Sequence, residues 1–187
     1  MIHLNGLNIK LLGDTHLGKS FKNGVPLHRR GEREALVWKT FEESFENLEN
    51  VDYHINMGDI FDRAFVPYTV IYKAADIYAR YAMSFPKTRF IIIAGNHDLS
   101  KDLEKRSEEL IEDLMMSEDP VGVVMGHWDV DMRSDPHNLI PTKTLARYGI
   151  TEALTGHDHP PRIVVRAGVP IHVVGSMQPY SLSEDPD

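Results

Sequence analysis

The sequence RFIIIAGNHD occupies residues 89–98 and joins an apolar segment to a polar turn. The apolar part, residues 89–94, is typical of a buried strand. Residues 95–98 follow at once and read Gly-Asn-His-Asp. Glycine lets the backbone turn sharply at the strand end. Because ligands gather at the carboxyl ends of strands in open α/β sheets, this stretch predicts both a fold class and the place of a functional site.

Four other predicted strands end in the same way. Each is followed by a short turn at a Gly or Asp, and the turn carries an Asp or His side chain. These strands are residues 8–13, 51–57, 121–125 and 151–155. Helical spacing of apolar residues predicts helices at 32–50, 67–84, 101–117 and 142–148. Two more strands, 162–166 and 171–174, are predicted around an Ala-Gly-Val-Pro turn. Strands that alternate with helices predict a layered α/β fold.

The polar side chains at these strand ends are all oxygen or imidazole donors, which suit Mn²⁺, Fe²⁺, Zn²⁺ or Mg²⁺. They are too many for one metal with an open position. They suit two metals about 3.5–4 Å apart that share a bridging carboxylate. The candidates are Asp14, His16, Asp59, Asn96, His127, His157 and His159, with Asp62, His97 and Asp98 beside them.

Length and composition indicate one domain across residues 1–187. The sequence contains no cysteine and ten histidines. No apolar run is long enough to span a bilayer, and the N-terminus does not resemble a signal peptide. We therefore expect a cytoplasmic protein with no membrane contact. The net charge of −8 argues against general affinity for nucleic acid. Bound divalent cations would reverse the sign of the charge locally.

The five strand-end motifs resemble, in order, those of the calcineurin-like metallophosphoesterases. The resemblance implies an α-β-β-α sandwich in which two central mixed sheets are flanked by helices. Asp14, His16 and His159 would then hold one metal, Asn96, His127 and His157 the second, and Asp59 would bridge them. His97 would face the leaving group, Asp98 would orient His97, and Asp62 would support the ligands.

A narrower resemblance is to the nuclease subunit of the bacterial SbcCD complex. It is carried by residues 14–18, by Arg33-Glu34 at the start of a helix, and by Gly58 to Arg63 with Pro67. Gly175-Ser176 resembles the segment that closes that nuclease domain. The resemblance implies Mn²⁺-dependent cleavage of DNA, an SMC-like ATPase partner and a homodimer through residues 67–84. We expect residues 1–187 to hold the nuclease domain alone, without the DNA-capping domain and the partner-binding tail of that subunit.

Alternatives accompany these hypotheses. The chain can instead be a phosphatase or a cyclic-nucleotide phosphodiesterase for small substrates. A scaffold without catalysis is a further alternative, but a scaffold predicts broken ligand motifs. Asp129, Asp131 and Asp135 suggest either a further cation site or a solvated loop, and we expect the loop. We expect His54 and His172 to be packed or satisfied. The basic cluster is either an ordinary charged loop or a contact for phosphate backbone. It consists of Lys19, Lys22, Arg29, Arg30 and Arg33.

Overall fold

The computed structural model describes residues 1–23, 25–98, 122–131 and 138–177. In these residues the chain forms two four-stranded sheets, with strand orders β1-β2-β3-β4 and β5-β6-β8-β7. The strands are β1 Ile2–Leu4, β2 Leu7–Leu12, β3 Tyr53–Asn56, β4 Arg89–Ile92, β5 Val123–Gly126, β6 Glu152–Thr155, β7 Arg162–Arg166 and β8 Val169–Val173. The helices are α1 Glu32–Glu43, α2 Tyr68–Ser84 and α3 Thr142–Arg147, with a 3-10 turn at Leu27–Arg29.

Each sheet consists of three parallel strands and one antiparallel edge strand. In the first sheet β2, β3 and β4 are parallel and β1 is antiparallel. In the second sheet β5, β6 and β8 are parallel and β7 is antiparallel. Parallel strands present their carboxyl ends at one edge, which is the edge where the five polar turns were predicted. The mixed sheets confirm the predicted α/β class.

Three hydrophobic clusters form the layers of the sandwich. The first lies between the sheets and includes Ile9 and Ile55 from one sheet and Leu154 from the other. The second covers the outer face of the first sheet with residues of α1 and α2. The third joins the second sheet to α3, with Leu145 packed beside Ile171. Since residues in a strand alternate between faces, each sheet supplies two of these clusters.

Several element boundaries differ from the sequence predictions. The helix predicted at 32–50 ends at Glu43. The amides of Phe45 and Glu46 then donate to the carbonyls of Glu42 and Glu43, three residues back, and Asn47 takes a left-handed conformation with φ 58°. The turn predicted as Ala-Gly-Val-Pro is shorter, since only Ala167 and Gly168 form it and β8 begins at Val169. The helix predicted at 101–117 lies outside the described residues.

The hairpin β1-β2 was absent from the predictions. Its turn, Asn5-Gly6, has positive φ at both residues, 49° and 80°. That is the backbone requirement of a two-residue type I′ turn, which Asn-Gly satisfies best. Among the described residues no helix has the length and apolarity needed to cross a membrane.

Phe45 lies at the centre of the aromatic cluster between the first sheet and its helices. It is fully buried. Its ring stacks on His54 at 4.5 Å between centroids and meets Tyr78 edge-on at 4.8 Å. Burial lowers the pKa of His54 to about 4, so this histidine packs as a neutral ring, as predicted.

We expect Phe45→Ala to lower the free energy of unfolding by about 3–5 kcal/mol, because it removes buried contacts and leaves a cavity. The control is Leu27→Ala at a side chain that is 77% exposed, where we expect a change within about 0.5 kcal/mol. Urea unfolding followed by circular dichroism measures both. Equal effects of the two substitutions would contradict this view of the core.

Candidate metal centre

Asp14 joins the two sheets at their common edge. It follows β2 and is completely buried. Its Oδ1 accepts a hydrogen bond from the amide of His157 at 3.1 Å, and its Oδ2 lies 3.5 Å from Nε2 of His159. The turns after β2 and β6 therefore meet, although they are far apart in the sequence.

Asp59, which follows β3, also joins turns that are far apart in the sequence. Its carbonyl accepts hydrogen bonds from the amides of Thr15, at 3.1 Å, and His16, at 2.9 Å. Its carboxylate Oδ1 accepts from the amide of His97 at 2.8 Å, and Oδ2 lies 3.1 Å from Nε2 of His127. This one residue contacts three of the other polar turns.

Three of the predicted ligands have a strained backbone. His16, Asp59 and His157 have φ values of 45°, 48° and 72°. Residues other than glycine rarely adopt this left-handed region, and the surrounding structure must stabilise them there. Such outliers cluster at functional sites, because the strain aims a side chain that an ordinary turn would direct elsewhere.

Two glycines allow the turns to approach this closely. A Cβ at Gly58, whose φ is 111°, would collide with the imidazole of His127. A Cβ at Gly95 would collide with the carboxylate and amide of Asp59. Both positions need hydrogen in place of a side chain, which explains the glycine before each of these motifs.

The ligand atoms fall into three groups among the described residues, each with atoms within 4.8 Å of one another. The groups are Asp14, His16 and His159; His16, Asp59 and His97; and Asp59, His127 and His157. The first contains the residues predicted for one metal. The third group, together with Asn96, contains the residues predicted for the second metal. Their roles as ligands stay a prediction.

The donor atoms of the third group fit a divalent cation. Nδ1 of His127 lies 3.0 Å from the carbonyl of Met57. A carbonyl only accepts, so Nδ1 carries the proton in the neutral ring and Nε2 keeps a lone pair. Nε2 is 3.1 Å from Oδ1 of Asn96 and 3.2 Å from Nδ1 of His157. Two adjacent ligands at about 2.1 Å from an octahedral cation are about 3.0 Å apart, so these spacings match a coordination shell.

Burial and mutual attraction set the charges of the site. Burial lowers the pKa of His127, but its hydrogen bond to Asp59 and the charge of Asp14 outweigh this and raise the pKa to about 9. Burial would raise the pKa of Asp59, yet the interaction with His127 leaves that pKa below its usual value. Burial lowers the pKa of His16 to about 4, so His16 is neutral at pH 7.

The structure corrects the role predicted for Asp98. Its carboxylate accepts hydrogen bonds from the amides of Ile60 at 3.2 Å, Phe61 at 2.9 Å and Gly95 at 3.0 Å. The ring of His97 is held elsewhere, because its Nδ1 donates to the carbonyl of Asp62 at 2.6 Å. Asp98 therefore fixes the turns after β3 and β4 rather than the imidazole itself.

Asp129 is the residue that sequence reasoning placed wrongly. It was expected in a solvated loop, but it is buried and its Oδ1 lies 3.2 Å from Nε2 of His157. Asp131 pairs with Arg162 and Arg166, at 3.3 and 2.9 Å, and Asp135 lies outside the described residues. The available signal was the position of Asp129 directly after a predicted ligand turn.

Comparison with known proteins shows the family of this chain. The sequence profile of the calcineurin-like phosphoesterases matches residues 7–112, which is more than half of the 187 residues. The chain belongs to this family. One similar solved structure is a dimetal phosphatase from Danio rerio, with 12% sequence identity, a TM-score of 0.47, and coverage of 91% of this chain and 88% of that chain. A search of curated proteins finds no match.

We expect metal binding at pH 7 to release a proton from His127. Its raised pKa of about 9 means that the metal-free ring is protonated below that pH, and a cation must displace the proton from Nε2. Affinity therefore falls as the pH falls from 9 towards 6. Titration calorimetry with Mn²⁺ in two buffers of different ionisation enthalpy measures the release.

The matched control is His127→Gln, which has no proton to release and which we expect to bind Mn²⁺ more weakly. A binding enthalpy of the native protein that does not depend on the buffer at pH 7 would contradict the assignment.

Proposed function

We propose that the chain is a two-metal phosphoester hydrolase. The observation that carries the proposal is the convergence of groups from the turns after β2, β4, β5 and β6 around the single carboxylate of Asp59. Its Oδ2 lies 3.9 Å from Nε2 of His16 and 3.1 Å from Nε2 of His127. One carboxylate beside both ligand groups supports a bridging role. When bound, two divalent cations lower the pKa of water and neutralise charge on phosphoryl oxygens.

His97 is proposed as the proton donor to the leaving group. The hydrogen bond from its Nδ1 to Asp62 leaves Nε2 directed at the ligand cluster, 4.0 Å from Oδ2 of Asp59. Its side chain is 41% exposed, whereas those of His16 and His127 are buried. A substrate can therefore contact His97 without displacing a ligand. Proton transfer from a positioned group contributes about 100-fold or more to such reactions.

We expect His97→Ala to lose at least about 100-fold in kcat and to keep both metals, because His97 donates a proton and binds no cation. The control is His3→Ala, at an exposed histidine of β1, with unchanged activity. Steady-state hydrolysis measures the first effect, and elemental analysis after dialysis measures the metal content. Loss of metal in the His97 variant would contradict its assignment.

Small phosphoesters are the substrate class that we propose first. The net charge of −8 disfavours a general affinity for nucleic acid. The side chains of His157 and His159 are 24% and 22% exposed, so the ligand cluster opens to solvent. An open cluster of this kind accepts the phosphoryl group of a small molecule without any further binding surface.

A DNA nuclease is the second candidate, and the contacts of Lys19 in the basic cluster favour it. The amide of Lys19 donates to the carbonyl of His16, and its ammonium lies 3.8 Å from Asp62. Farther along, Arg33 stacks over the ring of Phe21 at 4.5 Å. The contacts of Lys19 hold a positive charge next to His16, where the phosphate backbone of DNA would bind.

One assay separates the two substrates. The protein is incubated with Mn²⁺ and either bis-p-nitrophenyl phosphate or linear DNA. We expect hydrolysis of the small diester. Intact DNA would exclude the nuclease candidate for this chain. DNA cleavage that is lost in Lys19→Ala, with unchanged hydrolysis of the small diester, would instead establish it. Hydrolysis of neither substrate would contradict the proposed function.

An SMC-like ATPase partner and a homodimer through α2 belong to the nuclease candidate. Support for a protein contact comes from exposed apolar side chains along α2, among them Tyr68, Tyr72 and Met83, at 79%, 66% and 76% exposure. Exposed apolar surface of this kind marks interaction sites in many proteins.

A further inference from the structure

The imidazole of His157 lies between the ligand cluster and a buried carboxylate. Its Nδ1 is 3.1 Å from Oδ1 of Asn96 and 3.2 Å from Nε2 of His127. Its Nε2 faces away from them and lies 3.2 Å from Oδ1 of Asp129. The side chain of Asp129 is only 6% exposed, so this carboxylate is shielded from water.

The backbone of Asp129 is fixed independently of His157. Its amide donates to the carbonyl of Asn138 at 3.0 Å, and its carbonyl accepts from the amide of Ile140 at 2.9 Å. The preceding residue is tied to the end of β6, because the amide of Trp128 donates to Oγ1 of Thr155 at 2.8 Å. The carboxylate is therefore held in place by the fold, next to the turn that carries His157.

We propose that Asp129 is a positioning residue that acts through His157 on one of the two metals. A carboxylate only accepts, so it keeps the proton of the neutral imidazole on Nε2 and leaves the lone pair on Nδ1, which faces the other ligands. The negative charge also makes the ring a stronger donor towards a cation. This inference rests on the proposed two-metal function.

The neighbouring acidic residues differ from Asp129 in ways that provide controls. Asp131 pairs with Arg162 and Arg166 of β7. Glu152 and His172 form a second carboxylate–imidazole pair at 3.4 Å, but their side chains are 34% and 28% exposed. Glu152→Gln therefore applies the same chemical change to a pair that lies outside the ligand groups.

The test compares Asp129→Asn, Asp129→Ala and Glu152→Gln with the native protein by calorimetric titration with Mn²⁺. Loss of an outer carboxylate typically costs 10–100-fold in metal affinity. We expect a loss of about 10–100-fold at one site in Asp129→Ala and of at least about threefold in Asp129→Asn. The other site and Glu152→Gln remain within about twofold of the native affinity. The Asn variant keeps the size of the side chain and decides the result if the Ala variant does not fold.

A second measurement shows directly which nitrogen of the imidazole carries the proton. In the Zn²⁺-loaded native protein, long-range proton–nitrogen NMR should show His157 with its proton on Nε2, and the Asp129 variants should shift that signal. Native affinity at both sites in Asp129→Asn, or a proton on Nδ1 of His157, would overturn this inference alone. A native protein that binds no Mn²⁺ would overturn the proposed function and this inference with it.

Discussion

The hydrogen bonds of Asp59 connect the loops on which the site depends. Its carbonyl binds the amides of the turn after β2, its carboxylate binds the amide of His97 after β4, and the same carboxylate lies beside His127 after β5. Asp14 adds the connection to the turn after β6 through the amide of His157. Two buried carboxylates thus join turns that belong to different sheets. No local sequence preference can make such a connection.

This arrangement has an energetic cost that the rest of the fold must offset. Asp59, His16 and His157 are held at positive φ, and strain of this kind costs of the order of 1–3 kcal/mol for each residue. Asp14 and Asp59 are also buried, and each raises the electrostatic cost of charging its neighbour. The aromatic cluster around Phe45 and the apolar layer between the sheets supply the compensating burial. Divalent cations would remove the repulsion between the carboxylates, so metal binding should also stabilise the fold.

Strand-end ligands could be predicted from the sequence because their signals are local. An apolar run, a glycine and a polar donor appear together in residues 89–98, and parallel strands bring such turns to one edge. The hairpin at Asn5-Gly6 had an equally local signal that was not used. The contacts of Asp98 had no such signal, and the position of Asp129 directly after a predicted ligand turn did not indicate which group its carboxylate would meet. Which group a carboxylate meets depends on packing between distant elements: Asp98 meets backbone amides after β3, and Asp129 meets a histidine that follows β6.

The most direct test is a crystal structure of the protein grown with Mn²⁺, with anomalous scattering used to locate the ions. We predict two anomalous peaks about 3.5–4 Å apart, one on each side of the Asp59 carboxylate. One ion would lie among Asp14, His16 and His159, and the other among Asn96, His127 and His157. A single peak, or two peaks that do not share Asp59, would contradict the central claim that this carboxylate organises a two-metal phosphoesterase site.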